Sequence, residues 1–238
     1  MIPGINSALS GLRVNSAKMA VAANNIANMN TPGFKAATAE IQSLPDNQGA
    51  VTAAIRQTME PGAPLYTGNP LDTAIEGEGF FPVAGPGGKT GFTRQGSFSM
   101  DAQRRLTDVS GNPINPEIKV PRDATSLAIG RDGTVTATVN GQPATLGNIQ
   151  LANFNNPSGL LSAGGGLLLE SAQSGPANYG APGTGGRGML IPQSQESSNV
   201  DLAGEIVNSI LAKQGYKANA KMVSAASEMA GTLLNLKA

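Results

Sequence analysis

The sequence predicts an α+β protein in which a central antiparallel all-β module is flanked by two terminal heptad helices that pair as a coiled coil. Apolar residues recur in alternating steps of three and four at both ends, and short strand-like runs separated by turn sequences fill the middle. We expect an N-terminal helix within 1–35, an extended connector over 36–70, a β-rich outer domain over 71–200 and a C-terminal helix over 201–238.

The first predicted helix runs from residue 3 to about residue 29. Pro3 suits the first helical turn, where its missing N–H costs nothing, and Pro32-Gly33 directs the chain out of the helix. Six of the seven positions in the stripe are apolar or small, which is typical of a coiled-coil seam. The stripe consists of Ile5, Leu9, Leu12, Ser16, Met19, Ala23 and Ile26.

The second predicted helix begins near residue 199 and runs to about residue 236. Ser198 and Asp201 fit a Ser-x-x-Asp capping box at its start. Internal glycines in the two helices each cost about 1 kcal/mol relative to alanine, so we expect both termini to be loosely ordered until copies associate. The alternative is that both helices pack on the β module as ordinary core helices. The second stripe consists of Leu211, Gly215, Ala218, Met222, Ala225, Met229, Thr232 and Leu236.

The amino-acid composition excludes several classes of function. The chain has no histidine and no cysteine, which removes Ser-His-Asp hydrolysis, zinc sites with histidine ligands and thiolate chemistry. Its formal net charge of zero lacks the positive excess of a nucleic-acid binder. We predict no enzyme activity, no cofactor, no metal, no secretory signal peptide and no membrane span.

Three charged features were candidates for chemistry. Glu76 and Glu78 alternate along a predicted strand and resemble a carboxylate pair, but a solvated strand face explains them better because no aromatic sugar platform lies nearby. The GPGGKTG run ending at residue 91 lacks the first glycine of a phosphate loop and is interpreted as a hairpin turn. Arg104 and Arg105, flanked by Asp101 and Asp108, are predicted to form a charged hairpin tip.

The string ANNIANMNTPGFK, residues 23–35, resembles the signature of the bacterial flagellar basal-body rod and hook family, the axial proteins. Further strings resemble that family in its usual order, including AIEGEGFFPV, FTRQGSFSMD, IGRDGTV, LANFNNPSGL and ESSNVDLAGEIVNSI. The resemblance therefore covers nearly the whole chain. The residues matching the family motif are Asn24, Asn25, Asn28, Pro32, Gly33 and Phe34.

The resemblance implies a structural subunit of the rod, a hollow helical drive shaft that carries torque from motor to hook. Its expected partners are further copies of itself, other rod and hook proteins, surrounding ring proteins and the flagellar export apparatus, with no nucleic acid and no membrane span. Its expected location is the periplasm-spanning rod, reached by export without a cleaved signal. Nine residues are then expected at the subunit interface of the inner helices: Ile5, Leu9, Leu12, Met19, Ile26, Leu211, Met222, Met229 and Leu236.

The three asparagines of the motif would either end the first helix or bond between subunits. Within the family, the strings of the β module are most similar to the distal rod subunit, whereas the short connector is more similar to proximal rod and hook subunits, so the subtype stays open. Two other classes are alternatives: a secreted binding module built on the β domain, and a hydrolase that uses carboxylates. Only the filament subunit makes use of the heptads at both ends.

Overall fold

The computed structural model describes residues 3–45 and 48–235, and in these residues it contains two α-helices and seventeen strands. Helix α1 spans Pro3–Ala27 and helix α2 spans Leu202–Asn235. The predicted fold class is confirmed, because the two terminal helices contact each other and flank a central antiparallel β region. Neither helix has, over the residues described, an apolar stretch long enough to cross a membrane.

The strands are short, and every pairing between them is antiparallel. In chain order they are β1 (Ala37–Ser43), β2 (Ala50–Gln57), β3 (Pro64–Tyr66), β4 (Thr73–Glu76), β5 (Phe81–Ala84), β6 (Thr90–Thr93), β7 (Ser99–Met100), β8 (Leu106–Thr107), β9 (Ala124–Ile129), β10 (Thr134–Val139), β11 (Gln142–Asn148), β12 (Leu151–Asn153), β13 (Leu161–Gly164), β14 (Leu167–Leu169), β15 (Asn178–Gly180), β16 (Met189–Pro192) and β17 (Ser194–Glu196).

The chain divides into two compact units. Unit 1 contains α1, the β1–β2 hairpin and α2, and it is drawn from 1–29, 36–58 and 200–238. Unit 2 contains β3 to β17 and is drawn from 30–35 and 59–199. Residues expected to form an extended connector, 36–70, instead supply a hairpin to unit 1 and strand β3 to unit 2. The hairpin forms because 37–43 and 50–57 alternate exposed and less exposed positions around a polar turn.

Unit 2 has two hydrophobic clusters, and five of the six phenylalanines of the chain lie in them. Phe80 and Phe81 are adjacent and point to opposite faces, so they enter different clusters. Phe81 packs edge-on against Phe98 at 5.2 Å, and Phe154 packs edge-on against Phe92 at 4.8 Å between ring centroids. A chain with only 4% aromatic residues thus concentrates its rings in the β unit.

The structure adds detail to one local expectation and corrects another. Helix α2 begins at Leu202, and the carboxylate of Asp201 caps its first turn by accepting the N–H of Ala203 at 3.1 Å. Glu76 and Glu78 do not share a strand, because β4 ends at Glu76 and Gly77 takes a left-handed conformation with φ of +112°. Both acids are exposed, as expected of a solvated surface.

Two predicted turns are confirmed. The GPGGKTG run joins β5 to β6 as an antiparallel hairpin, with the N–H of Gly85 donating to the carbonyl of Lys89 at 2.8 Å. The Arg104-Arg105 pair lies at the tip of the β7–β8 hairpin. There the guanidinium of Arg105 donates to the carboxylate of Asp101 at 2.8 Å. The guanidinium of Arg104 instead donates to the carbonyls of Val120 and Pro121 outside the turn.

Candidate assembly surface

The two helices of unit 1 cross where each has a glycine followed four residues later by an asparagine: Gly11 and Asn15 in α1, Gly215 and Asn219 in α2. A Cβ built on Gly11 would lie 2.7 Å from the amide of Asn219, and one built on Gly215 would lie 2.7 Å from the Oδ1 of Asn15. Because Gly11 faces Asn219 while Asn15 faces Gly215, the helices run antiparallel.

Each crossing asparagine is also held by its own helix. Asn15 donates from Nδ2 to the carbonyl of Gly11 at 2.8 Å, and Asn219 donates in the same way to the carbonyl of Gly215 at 2.9 Å. Because each glycine has no side chain, it leaves room for the amide group of the asparagine on the other helix, which is already hydrogen-bonded within its own helix. The two glycines destabilise the isolated helices, but they allow the helices to pack closely.

We expect Gly215→Leu to destabilise the helix pair by about 1 to 3 kcal/mol, because the new side chain occupies the space of the Asn15 amide. Gly231→Leu is the matched control: no described residue lies within 4 Å of the Cβ position at Gly231, so the gain in helix propensity should stabilise by about 0.5 to 1 kcal/mol. Thermal loss of helical circular dichroism measures both. Equal shifts in the two variants would contradict the close crossing.

Asn25 is fully buried in unit 1 and joins three elements. Its Nδ2 donates to the carbonyl of Ala37 at 2.8 Å and to Oε1 of Glu205 at 2.9 Å, and its Oδ1 accepts the N–H of Ala37 at 2.9 Å. This side chain therefore ties α1 to the start of β1 and to α2 within one chain. Asn28 has a different role, since its Nδ2 donates to the carbonyl of Asn24 at 2.9 Å in the last turn of α1.

The apolar residues that the helices bury in unit 1 are small. They are Ala8, Val14, Val21, Ala22, Ala212 and Ala226. Six large apolar residues of α2 stay exposed: Leu202, Ile206, Ile210, Leu211, Met222 and Met229, with exposed fractions from 38% to 64%. A helix in water that exposes six large apolar side chains has an unpartnered surface.

The residues predicted for the inner helices fall on that outer side or at its border. Leu9, Leu211, Met222 and Met229 are exposed, each by more than 40%, whereas the other described members are partly buried: Ile5, Leu12, Met19 and Ile26. Leu236 lies outside the described residues. The stripe read from the sequence is thus distinct from the small residues that are most deeply buried within unit 1.

A buried charge cluster in unit 2, not predicted from the sequence, contains Lys35, Arg94 and Glu196; we refer to it as the clasp. Glu196 accepts the ammonium of Lys35 on Oε1 at 2.5 Å and the Nε of Arg94 on Oε2 at 2.8 Å. All three side chains are at most 4% exposed. The guanidinium of Arg94 also donates to the carbonyl oxygens of Gly77 and Gly79, which stabilise the second positive charge of the clasp.

The clasp lies where the chain enters and leaves unit 2. Lys35 immediately precedes unit 1 residues, and its ammonium also donates to the carbonyl of Glu60 at 2.7 Å. Oε1 of Glu196 accepts the N–H of Gly62 at 2.8 Å. Asn199, the last residue of unit 2, donates to the same Glu60 carbonyl at 3.0 Å. Burial lowers the pKa of Lys35 from its ordinary value, and the Glu196 carboxylate opposes that shift.

The Pro32-Gly33-Phe34 part of the family motif supports the clasp. Gly33 has a φ of +67°, and a Cβ there would lie 2.9 Å from the carbonyl carbon of Arg94, so this turn requires glycine. Its N–H donates to the carbonyl of Glu196 at 2.7 Å, and the N–H of Phe34 donates to that of Thr31 at 3.2 Å. The motif thus positions Lys35 opposite Glu196.

Three family models match this chain. The flagella basal body rod protein model matches residues 5–35, the flagellar hook protein FlgE/F/G D1 domain matches residues 74–137, and the flagellar basal body rod FlgEFG protein C-terminal model matches residues 191–236. The matches follow the order of the strings quoted from the sequence and include the residues that form α1, part of the β unit and α2.

Several relatives that align over nearly their full length share the name FlgG. The flagellar basal-body rod protein FlgG of Caulobacter vibrioides is 38% identical over 94% of this chain and 95% of its own length. FlgG of Bacillus subtilis is 34% identical over the full length of both proteins. The flagellar hook protein FlgE of Escherichia coli is 42% identical, but over only 49% of this chain and 29% of its own length.

The hook protein thus aligns with about half of this chain, whereas the FlgG proteins align with almost all of it. The FlgG relatives have a structural role, and this chain is accordingly a structural subunit and not an enzyme. It belongs to the flagellar basal-body rod family, as a rod subunit whose full-length relatives are named FlgG.

Proposed function

We propose that the exposed apolar surface of α1 and α2 is the interface through which copies of this chain build a hollow helical shaft, with the helices inside and the β unit outside. The observation that carries this is the contrast within unit 1: small residues fill its interior, while large apolar residues of α2 are left exposed. Under this proposal, Ile5, Leu9, Leu12, Met19, Ile26, Leu211, Met222, Met229 and Leu236 pack against neighbouring copies.

Burying these side chains supplies the driving force for assembly. Each large apolar residue removed from water contributes about 1.5 to 3 kcal/mol, and the near-zero net charge of the chain does little to oppose association. One surface that meets a different surface on the next copy gives an open filament rather than a closed ring. Torque then passes through many parallel contacts, which suits a drive shaft below the hook.

The same proposal assigns partners and location. The shaft ends contact other rod and hook proteins, the β unit faces the surrounding ring proteins, and subunits reach the periplasm-spanning rod through the flagellar export apparatus. Full-length similarity to FlgG supports the distal position in the rod over the proximal and hook alternatives. The hairpin in 36–58 shows that even a short connector adds a folded element to the helical unit.

Met222→Glu tests the interface. Met222 is 62% exposed, so the monomer should keep its stability, while the buried charge should raise the concentration needed for polymerisation at least tenfold. Sedimentation of the purified protein over a range of concentrations measures polymer, and swimming of cells carrying only the variant measures function.

Val109→Glu is the matched control, because Val109 is a 68% exposed apolar residue of unit 2. It should polymerise and support swimming like the unchanged protein. The proposed function is wrong if Met222→Glu polymerises normally, or if the two substitutions impair polymerisation equally.

A further inference from the structure

Helix α2 extends beyond its partner. The crossing pairs Gly11 with Asn219 and Asn15 with Gly215, so Pro3, the first described residue of α1, lies opposite residue 227 of α2. Residues 228–235, the last two turns of α2, thus lie opposite no described residue of α1; we call them the overhang. Its sequence, EMAGTLLN, has one charge and is mainly apolar or small. Glu228 and Met229 are both exposed.

Unit 1 also contains a groove formed by α1, β1 and α2, with a volume of 340 Å³. Much of its lining is apolar, including Val21, Ala39, Ile41 and Leu211. Lys18 lies on its wall, and within the described residues its ammonium has no hydrogen bond or ion pair. The acidic group in the groove, Glu205, accepts the amide of Asn25, so Lys18 is the charge left without a partner.

The overhang matches this groove in character. An apolar helix end carrying one carboxylate meets an apolar groove carrying one unpaired ammonium. Among the described residues, the carboxylate of Glu228 has only a long hydrogen bond from the Ser224 hydroxyl, at 3.4 Å. The overhang cannot reach the groove of its own chain, because it begins sixteen residues beyond Ala212, about 24 Å farther along a continuous helix at 1.5 Å per residue.

We propose that the overhang of one copy docks in the groove of a second copy, with Glu228 pairing with Lys18. The inference rests on the proposed function, since it names the contact through which subunits join. The overhang and the groove lie at different places on unit 1. Each copy can therefore dock its overhang in one neighbour while its own groove holds the overhang of another. Such a heterologous contact propagates without closing.

Cysteine cross-linking tests the contact directly, because the chain has no cysteine of its own. The double variant Ala39→Cys/Met229→Cys, treated with a short bis-maleimide under polymerising conditions, should give a ladder of covalent dimers, trimers and larger species. A mixture of the two single variants should stop at dimers. Ala39→Cys/Val109→Cys is the control and should give no ladder.

Charge reversal tests the ion pair independently. Lys18→Glu and Glu228→Lys should each raise the polymerising concentration by about threefold or more, and the double reversal should return it to near the original value. Lys89→Glu combined with Glu228→Lys keeps the same net charge, but Lys89 lies in an exposed turn of unit 2, so this pair should not recover.

The outcomes separate the two proposals. Normal polymers with no ladder and no charge rescue would overturn the docking contact and leave the proposed function standing. If the unchanged protein remained monomeric at every concentration and did not support swimming, the proposed function would fail and the docking contact with it. A ladder together with rescue supports both.

Discussion

Glu196→Gln should lower the free energy of unfolding by about 3 to 5 kcal/mol, the largest effect we expect from a single isosteric change. The substitution removes the one anion between two cations that are at most 4% exposed, and a buried charge without its partner is strongly destabilising. Calorimetry of the full chain should show a melting temperature lower by about 6 °C or more, given about 2 to 4 °C per kcal/mol at this size.

The control is Glu76→Gln. Glu76 approaches Arg131 at 3.9 Å, but both side chains are more than 60% exposed, so the loss should stay within about 0.5 kcal/mol. A second control adds Lys35→Met to Glu196→Gln. Because Lys35→Met removes one of the two cations left without an anion, the double variant should lose less free energy of unfolding than the sum of the two single losses. Equal losses in Glu76→Gln and Glu196→Gln would mean that the clasp contributes no more than a surface pair.

The helices were predictable because their signals are local. A repeat in steps of three and four, a proline in the first turn and a Pro-Gly exit placed α1 to within two residues of its observed end. Asp201 capping α2 shifted the start by only a few residues. The hairpin at 36–58 was missed because the prolines at 45, 61, 64 and 70 indicated an extended connector, although its strands carry β-branched residues such as Ile41, Val51 and Ile55.

The clasp could not be predicted, because its partners are far apart in the chain. Lys35 and Glu196 are 161 residues apart, and Arg94 and Glu196 are 102 apart, so no spacing rule joins them. The sequence offered only an indirect signal, because each of the three charged residues lies within a string that resembles the family. Likewise, the stripe of large apolar residues did not reveal that small residues, around paired glycines, fill the interior of unit 1.

The difference between the two units leads to the last prediction, which concerns the free monomer. Unit 1 buries only small apolar side chains on its described helices, whereas unit 2 has two clusters containing five phenylalanines. Local opening costs least where little apolar surface is buried. We therefore expect the helices of the unassembled chain to open readily, and to become stable only when their exposed side chains are covered by other copies.

Limited trypsin digestion at low concentration measures this. Cleavage at the helix sites should be at least tenfold faster than at the buried Lys35 and Arg94, because proteolysis follows the population of the open form when closing is fast. The helix sites are Arg13, Lys18, Lys213, Lys217 and Lys221. In polymerised protein the same sites should become resistant, which a merely flexible tail would not do. If trypsin cleaved the helix sites of the monomer as slowly as it cleaves at Arg94, unit 1 would already be stable alone. Folding on assembly would then be wrong, and the paired helices would dock as a preformed unit.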